Sequence, residues 1–301
     1  LLTGATGEPA VAQRLFYFSL MPLSIVSMYL LLRYMVRSPA ARILGSFAYG
    51  INGLTIMQFL VGGHPTLGAL ALSPFVYLFF LKFLRDGKHE ARNLLIAVAI
   101  VSFETGLQPF FQIRVLPFLA MFVIVELLQR RSVSYARTKM LWLIPSGLMY
   151  LVLTAPVSLT LIENTISALG AGSSGSIGLT SQDSISNLIE VTSGNFNTSY
   201  TKAIERNAFY MVSMLAMASR LFRDATSRAW YIGALTVSGV ALFGMYGATA
   251  GFLLPVIERL PFLLVFKDPD KLNSIIVTGM AIAVGLLIAE LNQRNSVLRI
   301  R

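Results

Sequence analysis

Cysteine is absent from this 301-residue chain. Disulfides and thiolate metal sites are therefore excluded, while the redox compartment is left open. Charge is scarce: Asp, Glu, Lys and Arg make up 13% of the residues, against about a quarter in a soluble domain. Acids are scarcest, 14 against 24 Lys and Arg, and histidine occurs twice. Two histidines without a cysteine make a poor zinc ligand set. No internal repeat is visible, which counts against a transporter built from repeated halves.

What fills the chain is apolar. Hydrophobic residues make up 55% and the mean hydropathy is +0.69. A single core of this size cannot hide so much apolar surface, so bilayer is the natural solvent. The formal net charge of +10 does not point to nucleic acid, because the basic residues come in short clusters between apolar runs. That is how the cytoplasmic loops of membrane proteins look.

A membrane helix needs about 20 apolar residues, and the chain is read as an all-α polytopic integral membrane protein of about nine spans. Residues 1–161 form a first transmembrane bundle of six spans, near 15–36, 43–61 and 67–84, a hairpin within 94–128, and 140–161. The hairpin is preferred to one kinked helix because Glu104, Gly106, Gln108 and Pro109 interrupt that block. Residues 162–206, rich in Ser, Thr, Gly and Asn, form an external polar loop. Residues 207–301 form a second bundle of three spans, with an external turn at 257–272. The second span carries Gly45, Gly50, Asn52, Gly53 and Gln58, and such a helix faces protein rather than lipid.

Alternating the loops puts 17 of the 24 Lys and Arg on one side of the membrane. Basic loops face the cytoplasm. The expectation is an integral protein of the plasma membrane with residue 1 outside and residue 301 inside. The opening residues have no basic region ahead of an apolar run and do not read as a signal peptide. The chain is expected to continue upstream of Leu1.

The strongest candidate site is Lys267-Asp268-Pro269-Asp270-Lys271, in the last external turn. The two lysines are point charges suited to a phosphate. Pro269 suits the first turn of a helix, with Asp268 as its N-cap and Asp270 against the helix dipole. On that reading the acids and the proline are structural, and Lys267 and Lys271 bind. The plainer alternative is a solvated turn marking the membrane boundary. No cofactor is identified, although external acids such as Asp268 and Asp270 could bind a divalent cation.

Glu104 and Arg114 are ionisable groups near the apolar hairpin, and intramembrane charge is functional by default because it is costly. Interfacial placement, with Arg114 reaching to the surface, is the plainer reading. His64, after Gly62 and Gly63, could be a ligand or acid–base group. Gly170-Ala-Gly172-Ser-Ser-Gly175 matches a dinucleotide fingerprint, but it follows a membrane span where a strand is required, so it reads as loop. Gly247-Ala-Thr-Ala-Gly251 reads as a small-residue face for close helix packing.

The run Leu260-Pro-Phe … Phe266-Lys-Asp-Pro-Asp-Lys271, ahead of a Gly-containing span, resembles a late external loop of the GT-C superfamily. Ala48-Tyr49-Gly50-Ile51-Asn52, with Gly62-Gly63-His64 after it, is also similar to such proteins. The hydropathy pattern resembles them over most of the chain. The resemblance implies a membrane glycosyltransferase acting on polyprenyl-phosphate sugars at the outer face, with Lys267, Lys271, His64, Arg114 and Glu104 as substrate-binding candidates. Lys267 stands where Arg is usual. The family's catalytic acid lies in the first external loop, and Glu8 is the acid found in that region here. Either the catalytic loop lies upstream, or the protein is a non-catalytic membrane subunit or scaffold with other membrane subunits as partners. The lipid bilayer and a lipid-linked sugar are the other expected partners.

Overall fold

The computed structural model describes residues 9–52, 54–56, 59, 64–87, 89–107, 111–170, 221–249 and 269–299. These residues are helical throughout, with no strand among them. The helices are α1 Pro9–Met35, α2 Pro39–Gly50, α3 His64–Arg85, α4 Glu90–Leu107, α5 Phe111–Arg130, α6 Val133–Gly170, α7 Ala225–Thr249 and α8 Pro269–Arg299. Four stretches are long and apolar enough to cross a membrane: Arg14–Met35, Thr66–Arg85, Val133–Pro156 and Ser274–Arg294. This is the architecture of an all-α membrane protein.

The core forms where α3, α5 and α7 meet. Tyr77 packs on Phe118 and Phe122 at ring-centre distances of 5.3 and 5.7 Å, and Phe122 packs on Trp230 at 5.3 Å. These four rings are buried. Helix α8 packs against both α7 and α2. The approach to α7 is made at Gly279, where a Cβ would lie 2.6 Å from the carbonyl oxygen of Ala234. The approach to α2 is made at Gly45, whose Cβ position is 3.2 Å from the Cα of Gly285. Small residues let helix backbones come this close in lipid, where no hydrophobic force pulls helices together. Gly247 and Gly251, expected to supply such a face, fall in a stretch whose side chains lie outside the described residues.

Two helices depart from the spans read in the sequence. Helix α2 has 12 residues, so it is about 18 Å long at 1.5 Å per residue, well short of the hydrocarbon thickness. It stops because the chain bends at Ile51 and Asn52. The Asn52 amide donates to the carbonyl of Tyr49 and, over 2.9 Å, to the Thr55 hydroxyl. Its carbonyl oxygen takes the Thr55 N–H at 3.0 Å. Asn52 thereby closes one helix and opens the next turn, as Asn does at caps. Helix α6 continues through Gly170, into the segment read as polar loop. Residues 171–206 lie outside the described residues.

The interhelical contacts sort the chain into two ends. At one end Tyr34 donates to Asp86 over 2.6 Å, and Asn292 donates to Ser38 over 2.8 Å. Arg85 meets Glu126, Lys139 meets Glu90, and the Arg223 N–H donates to Glu290. The segments near residues 33–42, 82–92, 130–139, 223–228 and 290–294 therefore share this basic end. The C-terminus of α4, the N-terminus of α5, and the beginnings of α3 and α8 lie at the other.

Candidate functional site

The end opposite the basic segments carries a buried polar cluster. Helix α4 brings Glu104 to it and helix α5 brings Arg114, and both side chains are buried, at 3% and 2% exposure. Their charges act on each other. The Arg114 guanidinium reaches toward the start of α3, where Nη2 stands 3.5 Å from the Thr66 hydroxyl. Its carbonyl accepts from the Tyr77 hydroxyl at 3.2 Å. Gly68 faces Glu104: a Cβ there would lie 3.7 Å from a carboxylate oxygen, in ordinary contact.

The broken helix α2 adds a second layer. The hydroxyl of Tyr49, fully buried, donates to the carbonyl of Leu70 over 2.7 Å. It also lies within hydrogen-bond reach of Thr278 on α8, and within the field of Arg114. Five helices thus converge through Tyr49, Thr66, Tyr77, Glu104, Arg114 and Thr278. An ionised pair in a bilayer is retained only where polar partners or water compensate its desolvation. The non-helical backbone at Ile51–Asn52 likewise has its polar groups met by protein, through the Asn52 side chain. The Glu104 carboxylate lies in the field of the Arg114 guanidinium, so the two offset each other's charge inside the bundle.

The structure places the sequence-derived candidates as follows. Glu104 and Arg114 come together, buried, where the C-terminus of α4 meets the N-terminus of α5, and the Arg114 side chain does not reach the protein surface. His64 is the first residue of α3, at the same end, rather than part of the preceding loop. Pro269 is the first residue of α8, and Asp270 and Lys271 fall in its first turn. The start of α8 is at the same end as Arg114, because Thr278 reaches Tyr49 two turns further along. The side chains of His64, Asp270 and Lys271 are not described. Glu8, Lys267 and Asp268 lie outside the described residues. No group of three or more His, Asp or Glu that could hold a metal occurs among the described residues.

Tyr49 lies in the Ala48–Asn52 run noted above, but Thr66, Tyr77 and Thr278 carry no local mark of a shared site, and Glu126 was not singled out either. Nothing local shows where the Tyr49 and Tyr77 hydroxyls go. Glu126, 3% exposed, ties α3 to α5 at the basic end. Its signal was present: a lone acid in an apolar run, four residues before Arg130 and so on the same helix face.

The class defined by this fold and site is an all-helical membrane protein with a buried acid–base pair at one end of its bundle. No family model, curated protein or solved structure matches the chain.

Proposed function

We propose that this chain is a GT-C-like membrane protein that holds a lipid-linked sugar phosphate at the end of the bundle opposite its basic segments. The observation that carries the reading is the convergence of Arg114, Glu104, Thr66 and the start of α8 on that end. Arg114 is the phosphate ligand, since a guanidinium matches two phosphate oxygens at once. Glu104 balances its charge and accepts hydrogen bonds from sugar hydroxyls. Lys271, in the first turn of α8, adds a second cation.

The full arrangement is nine spans, with the basic end in the cytoplasm and the Arg114 end at the outer face of the plasma membrane. The positive-inside rule supports that orientation, because the described basic segments meet at one end. Glycosyl transfer on this protein would use a catalytic acid outside the Glu104–Arg114 pair, for which Glu8 is the candidate in the sequence. The second reading is a non-catalytic membrane subunit. It is favoured by α6, whose Leu141, Ile144, Leu148, Leu151 and Val152 are all exposed, a face that either lipid or another membrane subunit covers.

Titration of the full chain in lipid nanodiscs with a polyprenyl phosphate tests the proposal. Arg114→Gln is expected to abolish binding and Lys271→Ala to weaken it. Asp268→Ala is expected to leave binding in place while costing about 0.5–2 kcal/mol of stability, as a lost cap does. Unchanged binding by a folded Arg114→Gln protein overturns the proposal. Binding without transfer of a radiolabelled sugar selects the subunit reading.

A further inference from the structure

The basic end contains a cavity that the proposed function does not use. It has a volume of about 600 Å³ and opens on one face of the α3–α4 hairpin. Lys82, Asp86, His89 and Arg92 line its surface end, and Phe79 and Ile96 line its deeper end. The depth follows from the helices: residue 79 is one turn further into the bundle than residue 82, and residue 96 one turn further than residue 92. The cavity is therefore cationic at the end of the bundle and apolar further in.

The cations are uncommitted. Among the described residues neither Lys82 nor Arg92 is paired with a carboxylate. Lys82 lies over the Phe79 ring, 5.3 Å from its centre. Asp86 also lines the cavity, with one carboxylate oxygen accepting from Tyr34 on α1 at 2.6 Å, and Lys82 and Arg92 together outweigh its single charge. Asn93, buried, also lines the cavity and offers an amide donor. The turn beneath is strained: His89 has a φ of 60°. An L-residue with a side chain pays for that conformation, and such residues cluster at ligand clamps.

We propose that this cavity binds the headgroup of an anionic phospholipid, with its phosphate against Lys82 and Arg92 and an acyl chain along Phe79 and Ile96. Basic pockets between transmembrane helices hold anionic headgroups in this way. A soluble phosphate would leave the apolar end unused, which is why the lipid is the assigned ligand. The site is at the opposite end from Arg114 and does not rest on the proposed function.

The test is titration of the full chain in detergent with a short-chain fluorescent phosphatidylglycerol, set against phosphatidylcholine and glycerol phosphate. Each charge removed near the membrane surface lowers affinity about five-fold. The Lys82→Gln, Arg92→Gln double variant is expected to bind about 30-fold more weakly than the parent chain. Arg137→Gln, an exposed cation at the same end outside the cavity, is expected to bind like the parent. Phosphatidylcholine and glycerol phosphate are expected to bind more weakly than phosphatidylglycerol. Should the double variant unfold, the two single variants carry the test, with about five-fold each. Parent-like affinity in the charge-deleted variants overturns the site. An equal loss in Arg137→Gln reduces it to diffuse surface charge, and equal affinity for glycerol phosphate overturns the lipid assignment.

Discussion

Nε of Arg85, on α3, lies 2.5 Å from Oε1 of Glu126, on α5. The same carboxylate meets Arg130 at 3.4 Å through its other oxygen. Arg85 is also stacked over Trp230 of α7, its guanidinium carbon 4.9 Å from the ring centre. One buried acid therefore ties two helices and, through Arg85, a third. Glu126→Ala is expected to destabilise the protein by about 3 kcal/mol. Loss of one partner from a buried pair costs about 3–5 kcal/mol, and the low end applies because Arg85 and Arg130 keep some contact with water. Thermal unfolding in detergent measures it; an unchanged midpoint would show that the pair contributes nothing.

Gly279 sets the separation of α7 and α8. An alanine there would press on the Ser238 hydroxyl and on the backbone carbonyl of Ala234. The serine could rotate, at the loss of its 2.9 Å bond to Ala234, but the carbonyl could not. Gly279→Ala is expected to cost about 1–3 kcal/mol, the usual range for overpacking. Gly106→Ala, with open space around it, is the control and is expected to be neutral or mildly stabilising in the same unfolding assay.

Asp224 caps α7, its carboxylate accepting the Ser227 N–H at 2.7 Å. Partial burial raises its pKa, but hydrogen bonds from Ser227 and Thr226 outweigh that and hold it below the ordinary carboxylate value. The folded state thus favours the ionised form. The cap's contribution is present above the unfolded-state pKa and is lost as pH falls through the lower folded-state value. Asp224→Ala is expected to be less stable than the parent by about 1 kcal/mol at neutral pH. The difference should shrink toward zero below about pH 4. A gap that persists unchanged at low pH would mean the carboxylate's charge plays no part.

The absence of cysteine makes accessibility mapping direct. Gly87→Cys, Ser132→Cys and Thr226→Cys should label from one side of a sealed membrane, because their segments share the basic end. Gly106→Cys should label from the other. Labelling of positions 87 and 106 from the same side would contradict the two-ended arrangement.

Membership of the membrane class was decided by sequence alone, since hydropathy is a local property and nothing about tertiary contacts can rescue 55% hydrophobic content for a water-soluble core of this size. The position of α8 was also local: Pro269 starts a helix because its fixed φ suits the first turn and its missing N–H is not needed there. The poverty of the second span in apolar residues was visible too, though not that Asn52 would break it. What the tertiary structure decided is which distant groups meet. Glu104 could have stood at an interface as an isolated acid, and Glu126 could have faced lipid headgroups. Their partners come from other helices, at separations set by packing. That packing depends on where Gly45, Gly279 and Gly285 allow backbones to touch, a register that no single helix encodes. The pairing of Arg85 with Glu126 and the gathering of Tyr49, Thr66 and Arg114 follow from that register, and so belong to the folded bundle rather than to any one stretch of chain.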